Sequence, residues 1–451
     1  MSTFGPTLFS GKRFAVLGLG KNGAPAALAL HAMGADVVAW DDNAASRDGL
    51  AATMKVEAPA ATARAIVLRD LADGPFDFDA LVLSPGIPHL LPKPHPVARR
   101  AFDAGVPVLT DVELLFQAVR ASGSRARFVG VTGTNGKSTT TALLAHILGS
   151  AGIPVAAGAN LGPAALSLPL LPHDGVYVLE MSSYMLERLA TVRFDASVML
   201  NLSADHIDRH GDMAGYAMAK RSIFARQTAA DLAVVGTDDA GSRDMADWLD
   251  EQAARVVRVS GTEAPLAGGA ALPGAHNAQN AAAATAMARF LGVSDAVIDA
   301  GLASYPGLPH RQQRIVTIDG VSFINDSKAT NADASERALV CYDRLIWIAG
   351  GMAKEGGIEP LVPLFPRIAR ALLIGRDAPQ FAATLTREGV PFDIVGTLEA
   401  AVPAAFAAAK ADNAPVVLLS PACASWDQFT GYDQRGDRFA ELALNLQAGD
   451  A

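Results

Sequence analysis

Cysteine and long apolar segments are scarce in this sequence. Only Cys341 and Cys423 occur among 451 residues, and their wide separation argues against both a disulfide framework and a thiolate zinc site. No apolar run approaches the roughly 20 residues that a transmembrane helix needs. The first residues, up to Lys12, lack the basic-then-apolar layout of a secretory signal. We therefore expect a cytoplasmic protein that does not bind membranes.

Basic charge is also in deficit. The chain has 37 Lys and Arg against 46 Asp and Glu, which gives a net charge of −9. This balance argues against a protein that coats nucleic acid or an anionic membrane, although a local basic pocket remains possible. Half of the residues are hydrophobic, and the chain is too long for one ordinary core. We expect two to four domains.

The most informative stretch is a glycine-rich turn between an apolar strand and a helix. Glycines let backbone N–H groups face a phosphate, and the start of a helix favours negative charge. A lysine and a hydroxyl in such a turn can reach the β- and γ-phosphates and Mg²⁺. The spacing is imperfect, because Val131 replaces the first glycine of the full pattern. An ordinary strand-to-helix turn is the alternative to an ATP site made by Gly133, Thr134, Asn135, Gly136, Lys137, Ser138 and Thr139.

A second glycine-rich turn lies near the N-terminus. Gly18, Gly20 and Gly23 follow a predicted strand and precede a helix, and the next strand ends in acids that include Asp42. This order predicts a Rossmann-like unit. The turn can hold any diphosphate, so a nicotinamide-dependent oxidoreductase remains a rival interpretation.

Two later loops also follow predicted strands. Ser84 begins a loop shaped by Pro and Gly, and Asn160 lies in a polar turn. Ligands of open α/β sheets bind at such carboxyl ends of strands. For the loop at Ser84, a plain connection without ligand is an equally good interpretation.

The middle third contributes candidate metal ligands. Glu180 ends a hydrophobic strand downstream of the phosphate loop, where a carboxylate can hold Mg²⁺ or can cap the next helix. His206 follows another strand in a loop with Asp205, Asp208 and His210. These four side chains would not all converge from one short loop, so we expect His206 alone to join the metal site. Lys220, from the residues alone, is expected to be a solvated helix lysine.

The last third predicts a third α/β unit. A hairpin that turns at Asp319-Gly320 precedes several apolar strands separated by helical stretches. Upstream of it, Asn277 and Asn280 stand near a helix start, where amides can cap the helix or contact an adenine or a metal-bound water.

Seven motifs in order resemble the Mur ligase family, over nearly the whole chain. They are Gly133–Thr139, Glu180–Ser183, Asp205–Arg209, His276–Asn280, Gly307–Arg311, Asn325–Asn331 and Leu419–Ser425. The resemblance implies three α/β domains, Rossmann-like at both ends around a central ATPase with a mostly parallel sheet. We place them at residues 1–111 for a UDP-substrate, 112–309 for ATP and 310–451 for an amino acid. It also implies ATP-dependent amide-bond formation that uses Mg²⁺ at two sites. Separately, we expect a monomer.

The resemblance extends to individual residues. It implies that Lys220 is carbamylated and holds Mg²⁺ with His206, while Ser138 and Glu180 hold the other ion. Arg311 and Asp326 would join Asn277 and Asn280 at ATP. The substrate-binding residues would be Gly18, Gly20, Asp42, Asn43, Ser84, Asn160, Lys328, Thr330, Lys354, Ser425 and Tyr432.

Within the family, the motifs are most similar to those of members that add D-glutamate to UDP-N-acetylmuramoyl-L-alanine through an acyl phosphate. Asp42-Asn43 and Gly431-Tyr432 differ from the residues familiar at those positions. A sister ligase for another amino acid or for folate, and a nucleotide-sensing protein without turnover, are the remaining alternatives.

Overall fold

The computed structural model describes residues 3–57, 66–252, 254–262, 272, 274–353 and 356–449. The chain forms two compact units, one of Met1–Ala267 with Ala275–Ala303 and one of Gly268–Gly274 with Ser304–Ala451. The boundary predicted after residue 111 falls inside the first unit, at the start of a helix. No helix in the described part of the chain is long and apolar enough to cross a membrane.

The first unit contains two sheets. Its strands are β1 (Arg13–Leu17), β2 (Asp36–Trp40), β3 (Val67–Leu68), β4 (Ala80–Leu83), β5 (Val108–Leu109), β6 (Arg127–Thr132), β7 (Val155–Ala159), β8 (Val176–Glu180), β9 (Ala196–Met199), β10 (Leu232–Gly236) and β11 (Arg255–Val259). Its helices are α1 (Gly23–Ala32), α2 (Ala44–Glu57), α3 (Pro96–Asp103), α4 (Asp111–Ala121), α5 (Lys137–Ser150), α6 (Ser183–Leu186), α7 (Ile207–His210), α8 (Met213–Arg221), α9 (Ala240–Asp250), α10 (Ala275–Phe290) and α11 (Asp295–Ser304).

The sheet near the N-terminus has the strand order β3-β2-β1-β4-β5 and is parallel throughout. Strand β1 lies at its centre, and the chain leaves it for β2 on one side and reaches β4 on the other. Ligands of open α/β sheets bind where the strand order reverses in this way. The Rossmann-like prediction for this region is confirmed, and the turn at Gly18 lies at that reversal.

The second sheet has the order β11-β10-β9-β6-β8-β7, also parallel. All five residues of β8 are buried, which is typical of strands covered by helices on both faces. Strand β6 lies between β8 and β9. The segments that follow these three strands therefore meet at one edge of the sheet.

The second unit carries a mostly parallel sheet of order β12-β13-β18-β14-β16-β17 and a small pair, β15 with β19. Strands β12 and β13 form an antiparallel hairpin, and its turn at Asp319 and Gly320 has φ of 49° and 83°, as predicted. The elements are β12 (Gln313–Ile318), β13 (Val321–Asn325), β14 (Leu345–Gly350), β15 (Met352–Ala353), β16 (Ile368–Ile374), β17 (Phe392–Gly396), β18 (Val416–Leu419), β19 (Cys423–Ala424), α12 (Ala332–Leu339), α13 (Ala378–Arg387), α14 (Leu398–Ala411) and α15 (Tyr432–Ala448).

Candidate functional site

The predicted phosphate loop connects β6 to α5. Gly133 and Gly136 have φ of 148° and 82°, a region that favours glycine. The Lys137 ammonium folds back and donates to the carbonyl oxygens of Gly133 (2.9 Å) and Thr134 (2.7 Å). The loop thus brings a lysine and the N-terminus of a 14-residue helix together, which is the arrangement that binds phosphates.

Buried amides support this loop from a neighbouring helix. A Cβ on Gly136 would lie 2.3 Å from Oδ1 of Asn280, so the loop and α10 are in close contact. Asn280 donates to Oδ1 of Asn277 over 3.0 Å, and both side chains are buried. The two predicted asparagines therefore lie beside the loop, within α10 and not at its cap.

Glu180, at the end of β8, presents one oxygen that suits a cation. Its Oε1 accepts a hydrogen bond from Asn160 at 2.5 Å. Its Oε2 is buried and has no hydrogen-bond partner in the described part of the chain. A buried carboxylate oxygen without a partner is costly unless it is ionised beside a cation. The next helix is capped by Ser182, which accepts from the Met185 amide, so Glu180 does not serve as the cap.

Lys220 is buried, with 1% of its surface exposed, so the expectation of a solvated lysine was wrong. Its ammonium donates to the carbonyl oxygen of Gly133 at 2.9 Å and lies 4.6 Å from the centre of the Tyr216 ring. Burial, reinforced by the charge of Lys137, lowers the pKa of Lys220 well below its usual value. Helix α8 turns this residue inward because Tyr216 and Ala219 also face the core.

The side chains of residues 205–210, a segment that ends with α7, do not all converge. Nε2 of His206 lies 3.4 Å from Oδ2 of Asp205, and its side chain is 46% exposed. His210 is buried, 2.9 Å from Oγ of Ser183 and 2.8 Å from Oε1 of Glu187. Among the described residues, no three His, Cys, Asp or Glu side chains form a ready metal cluster. Any metal here would also need hydroxyl, water or phosphate ligands.

A cleft of about 310 Å³ lies at this edge of the sheet, and Glu180 is not among the residues that line it. Four predicted site residues meet there: Lys137, Asn160, His206 and Lys220. The site residues predicted from the sequence omit the other seven lining residues, which are Pro85, Gly86, Ser182, Ser183, Tyr184, Asp205 and Tyr216. Tyr184 and Tyr216 could have been suggested by their closeness in sequence to Glu180 and Lys220, but nothing in the sequence sets the direction of their rings.

At the first sheet, Gly18 and Ser84 are in contact. The Ser84 hydroxyl donates to the Gly18 carbonyl oxygen at 2.9 Å, whereas Gly20 is exposed. Asp42 accepts from the Trp40 indole at 3.2 Å, and Asn43 accepts from the Ala45 amide at 3.0 Å. The side chains of Asp42 and Asn43 therefore have local structural partners.

Two side-chain contacts in the second unit involve predicted residues. Asp326 accepts from the Ser420 hydroxyl at 2.7 Å, and burial raises its pKa to about 7. The Lys328 ammonium lies 5.1 Å from the centre of the Tyr432 ring. Ser425 is buried and Thr330 is half-buried. Arg311 directly precedes Gln312, whose amide donates to Asp326. Lys354 lies outside the described residues.

Comparison with known proteins identifies the family. Residues 131–268 match the Mur ligase middle domain. The chain is 50% identical to a UDP-N-acetylmuramoylalanine–D-glutamate ligase of Paramagnetospirillum magneticum, over 98% of this chain and 99% of that protein. The chain belongs to the Mur ligase family. The ligase of the same name from Rhodospirillum rubrum is 47% identical to this Mur ligase, over 97% of this chain and 95% of the relative.

Solved structures agree on the fold. A UDP-N-acetylmuramate–alanine ligase from Thermotoga maritima superposes with a TM-score of 0.57 at 18% identity, covering 97% of this Mur ligase and all of that chain. A second structure, a Mur ligase from Acinetobacter baumannii, has a TM-score of 0.54 at 20% identity and covers 72% of this chain and 80% of the other. At such identities the likeness concerns the fold alone, and the predicted α/β fold class is confirmed.

Proposed function

We propose that this protein is an ATP-dependent ligase that adds D-glutamate to UDP-N-acetylmuramoyl-L-alanine in peptidoglycan precursor synthesis, in the cytoplasm. The observation that carries the proposal is the 50% identity, over 98% of the chain, to a relative with that name. The reaction proceeds through an acyl phosphate. The substrate carboxylate attacks the γ-phosphorus of ATP, ADP leaves, and the amine of D-glutamate then displaces phosphate from the acyl carbon.

The phosphate loop positions ATP. The Lys137 ammonium already donates to two carbonyl oxygens of its own loop, and phosphate oxygens would take the place of these acceptors. The amides at the start of α5 add further donors. Phosphoryl transfer needs positioning and neutralisation of charge more than covalent help from the protein, which is the help that these groups can give.

Magnesium would supply neutralisation of the phosphate charge at two sites. The residues fit the ion, because Glu180 keeps one buried carboxylate oxygen without a hydrogen-bond partner among the described residues. Ser138 in the first turn of α5 would share this ion with Glu180 and the phosphates. His206 and Lys220 would hold the second ion.

Lys220 suits carbamylation. A neutral amine attacks CO₂, a new N–C bond forms, and one nitrogen proton passes to solvent, which leaves a carbamate anion. The reaction requires an uncharged amine, and burial favours that form of Lys220. The modified side chain would offer oxygens where the unmodified lysine offers a cation.

In the second unit, the amino acid would be held by Lys328, Thr330, Lys354, Ser425 and Tyr432, and ATP by Arg311 and Asp326. The support is the motif order around these residues and the contact between Lys328 and Tyr432. Gly18, Gly20, Asp42, Asn43 and Ser84 in the first sheet, with Asn160 at the cleft, would bind the UDP-substrate.

Phosphate release tests the proposal. The purified chain is supplied with ATP, Mg²⁺ and UDP-N-acetylmuramoyl-L-alanine, and D-glutamate is compared with L-glutamate, L-lysine and L-alanine. We expect phosphate release only with D-glutamate. Lys137→Ala should release none, because the ammonium that donates hydrogen bonds to the phosphates is lost. Equal release with another amino acid would indicate a sister ligase. Full turnover by Lys137→Ala would refute the role of the loop.

A further inference from the structure

Arg188 is a buried arginine next to the cleft, with 3% of its surface exposed. Its Nη1 donates to the carbonyl oxygens of Leu83 at 2.7 Å and Ser84 at 3.4 Å, and its Nη2 donates to that of Pro85 at 3.0 Å. Its Nε donates to the Tyr184 carbonyl oxygen at 3.0 Å. Three of these four acceptors belong to the end of β4 and the turn that follows it.

The charge of Arg188 is satisfied by backbone oxygens. Within the described ranges, no carboxylate lies close enough to form an ion pair with it. Burial and the charge of Arg209 lower its pKa to about 9, and the more distant charges of Glu187 and Asp111 oppose this shift only in part. Burying a cation without an acidic partner is costly, and the planar fork of donors matches several carbonyls at once in a way that lysine cannot. The guanidinium therefore holds together the end of β4 and the turn that follows it.

The turn at residues 84–86 belongs to the first sheet, whereas Arg188 lies in the segment after β8 of the second sheet. Pro85 and Gly86, in that turn, line the cleft together with Lys137. The Ser84 hydroxyl connects the same turn to Gly18. Arg188 therefore joins a loop of the first sheet to the edge of the second sheet that carries the phosphate loop, a connection that Lys21 and Arg209 also make.

We propose that Arg188 is a positioning residue for the ligation, which holds the turn at residues 84–86 so that the substrate carboxylate meets the γ-phosphate of ATP. This inference rests on the proposed function. The hydrogen bonds of Arg188 go to none of the phosphate-loop residues, so its loss should leave ATP binding intact. Displacing reacting groups by about 1 Å can cost on the order of 100-fold in rate.

Kinetics of Arg188→Met and Arg188→Lys test the inference. We expect kcat to fall about 10- to 100-fold in Arg188→Met, with an intermediate loss in Arg188→Lys, whose ammonium can serve only some of the carbonyls. The Kd for ATP should stay within about 3-fold of the wild-type value. Arg243→Met is the control, because the exposed Arg243 also donates to a backbone carbonyl, that of Thr237 at 2.9 Å, and Thr237 neither belongs to the turn at residues 84–86 nor lines the cleft.

Two further measurements separate positioning from folding. Guanidinium ion at millimolar concentration should restore part of the turnover of Arg188→Ala and none of that of a Lys137→Ala variant. Hydrogen–deuterium exchange at residues 83–89 should be faster in Arg188→Met than in Arg243→Met. The inference is refuted by unchanged kcat in Arg188→Met, by parallel loss of ATP binding, or by unchanged exchange. An inactive wild-type chain would refute the proposed function instead, and the exchange experiment would still decide whether Arg188 holds the turn.

Discussion

Gly136→Ala should damage the phosphate loop for two separable reasons. The backbone at Gly136 has φ of 82°, where an L-residue costs about 1–2 kcal/mol. The new Cβ would also lie 2.3 Å from Oδ1 of Asn280 and 3.0 Å from Cδ1 of Leu200. Asn280 is buried and bound to Asn277, so it cannot move away at low cost, and overpacking of this kind adds about 1–3 kcal/mol. We expect a total loss of about 2–5 kcal/mol.

Gly152→Ala is the matched control, just beyond the opposite end of α5. Gly152 has φ of 73°, and no atom lies within 4 Å of the place that a Cβ would take, so this variant carries the backbone strain alone, about 1–2 kcal/mol. Scanning calorimetry would compare the two variants, and titration calorimetry would measure ATP binding. Gly136→Ala should melt several degrees below Gly152→Ala and bind ATP at least about tenfold more weakly, a cost of about 1.4 kcal/mol. Equal melting temperatures and equal ATP affinities would refute the close contact between the loop and Asn280.

Two other residues yield predictions. Burial raises the pKa of Asp326 from 3.8 to about 7. The stability that the protonated side chain contributes is therefore fully present below about pH 4 and is lost as pH rises through 7. In Asp326→Asn, the free energy of unfolding should lose up to about 4 kcal/mol of its variation with pH. Denaturant unfolding at several pH values measures it, and parallel curves for both chains would contradict it. Lys220→Ala should ligate at under about 1% of the wild-type rate, as expected for loss of a group worth several kcal/mol, and added acetate should partly restore phosphate release. An active Lys220→Ala would argue against the carbamate.

The sequence was sufficient for the elements that depend on local pattern. Strands such as β8 are continuous apolar runs, and the turn at Asp319-Gly320 has residues suited to positive φ. The sequence also placed Lys137, His206 and Lys220 among the catalytic residues and Asn160 among the substrate-binding residues. These four line one cleft, and their roles remain predictions.

Burial and long-range contacts could not be predicted from the sequence. The pattern of α8 does not distinguish a solvated Lys220 from a buried one, because that depends on how the helix packs against α6, α7 and α9. Arg188 donates to residues about 105 positions earlier in the chain, and such a pairing leaves no local trace. The roles of Lys328, Thr330, Ser425 and Tyr432 remain predictions.

The contact between Gly136 and Asn280 has a consequence for synthesis on the ribosome. Strand β6, the phosphate loop and α5 emerge from the ribosome well before α10, which begins only at Ala275, over one hundred residues later. Domains fold as units during synthesis, so a nascent chain that ends before Asn280 holds the whole glycine-rich motif without the amides that support it. The glycine-rich motif is therefore synthesised well before the asparagines that contact it. A fragment that contains the motif but ends before Asn280 should bind nucleotide poorly.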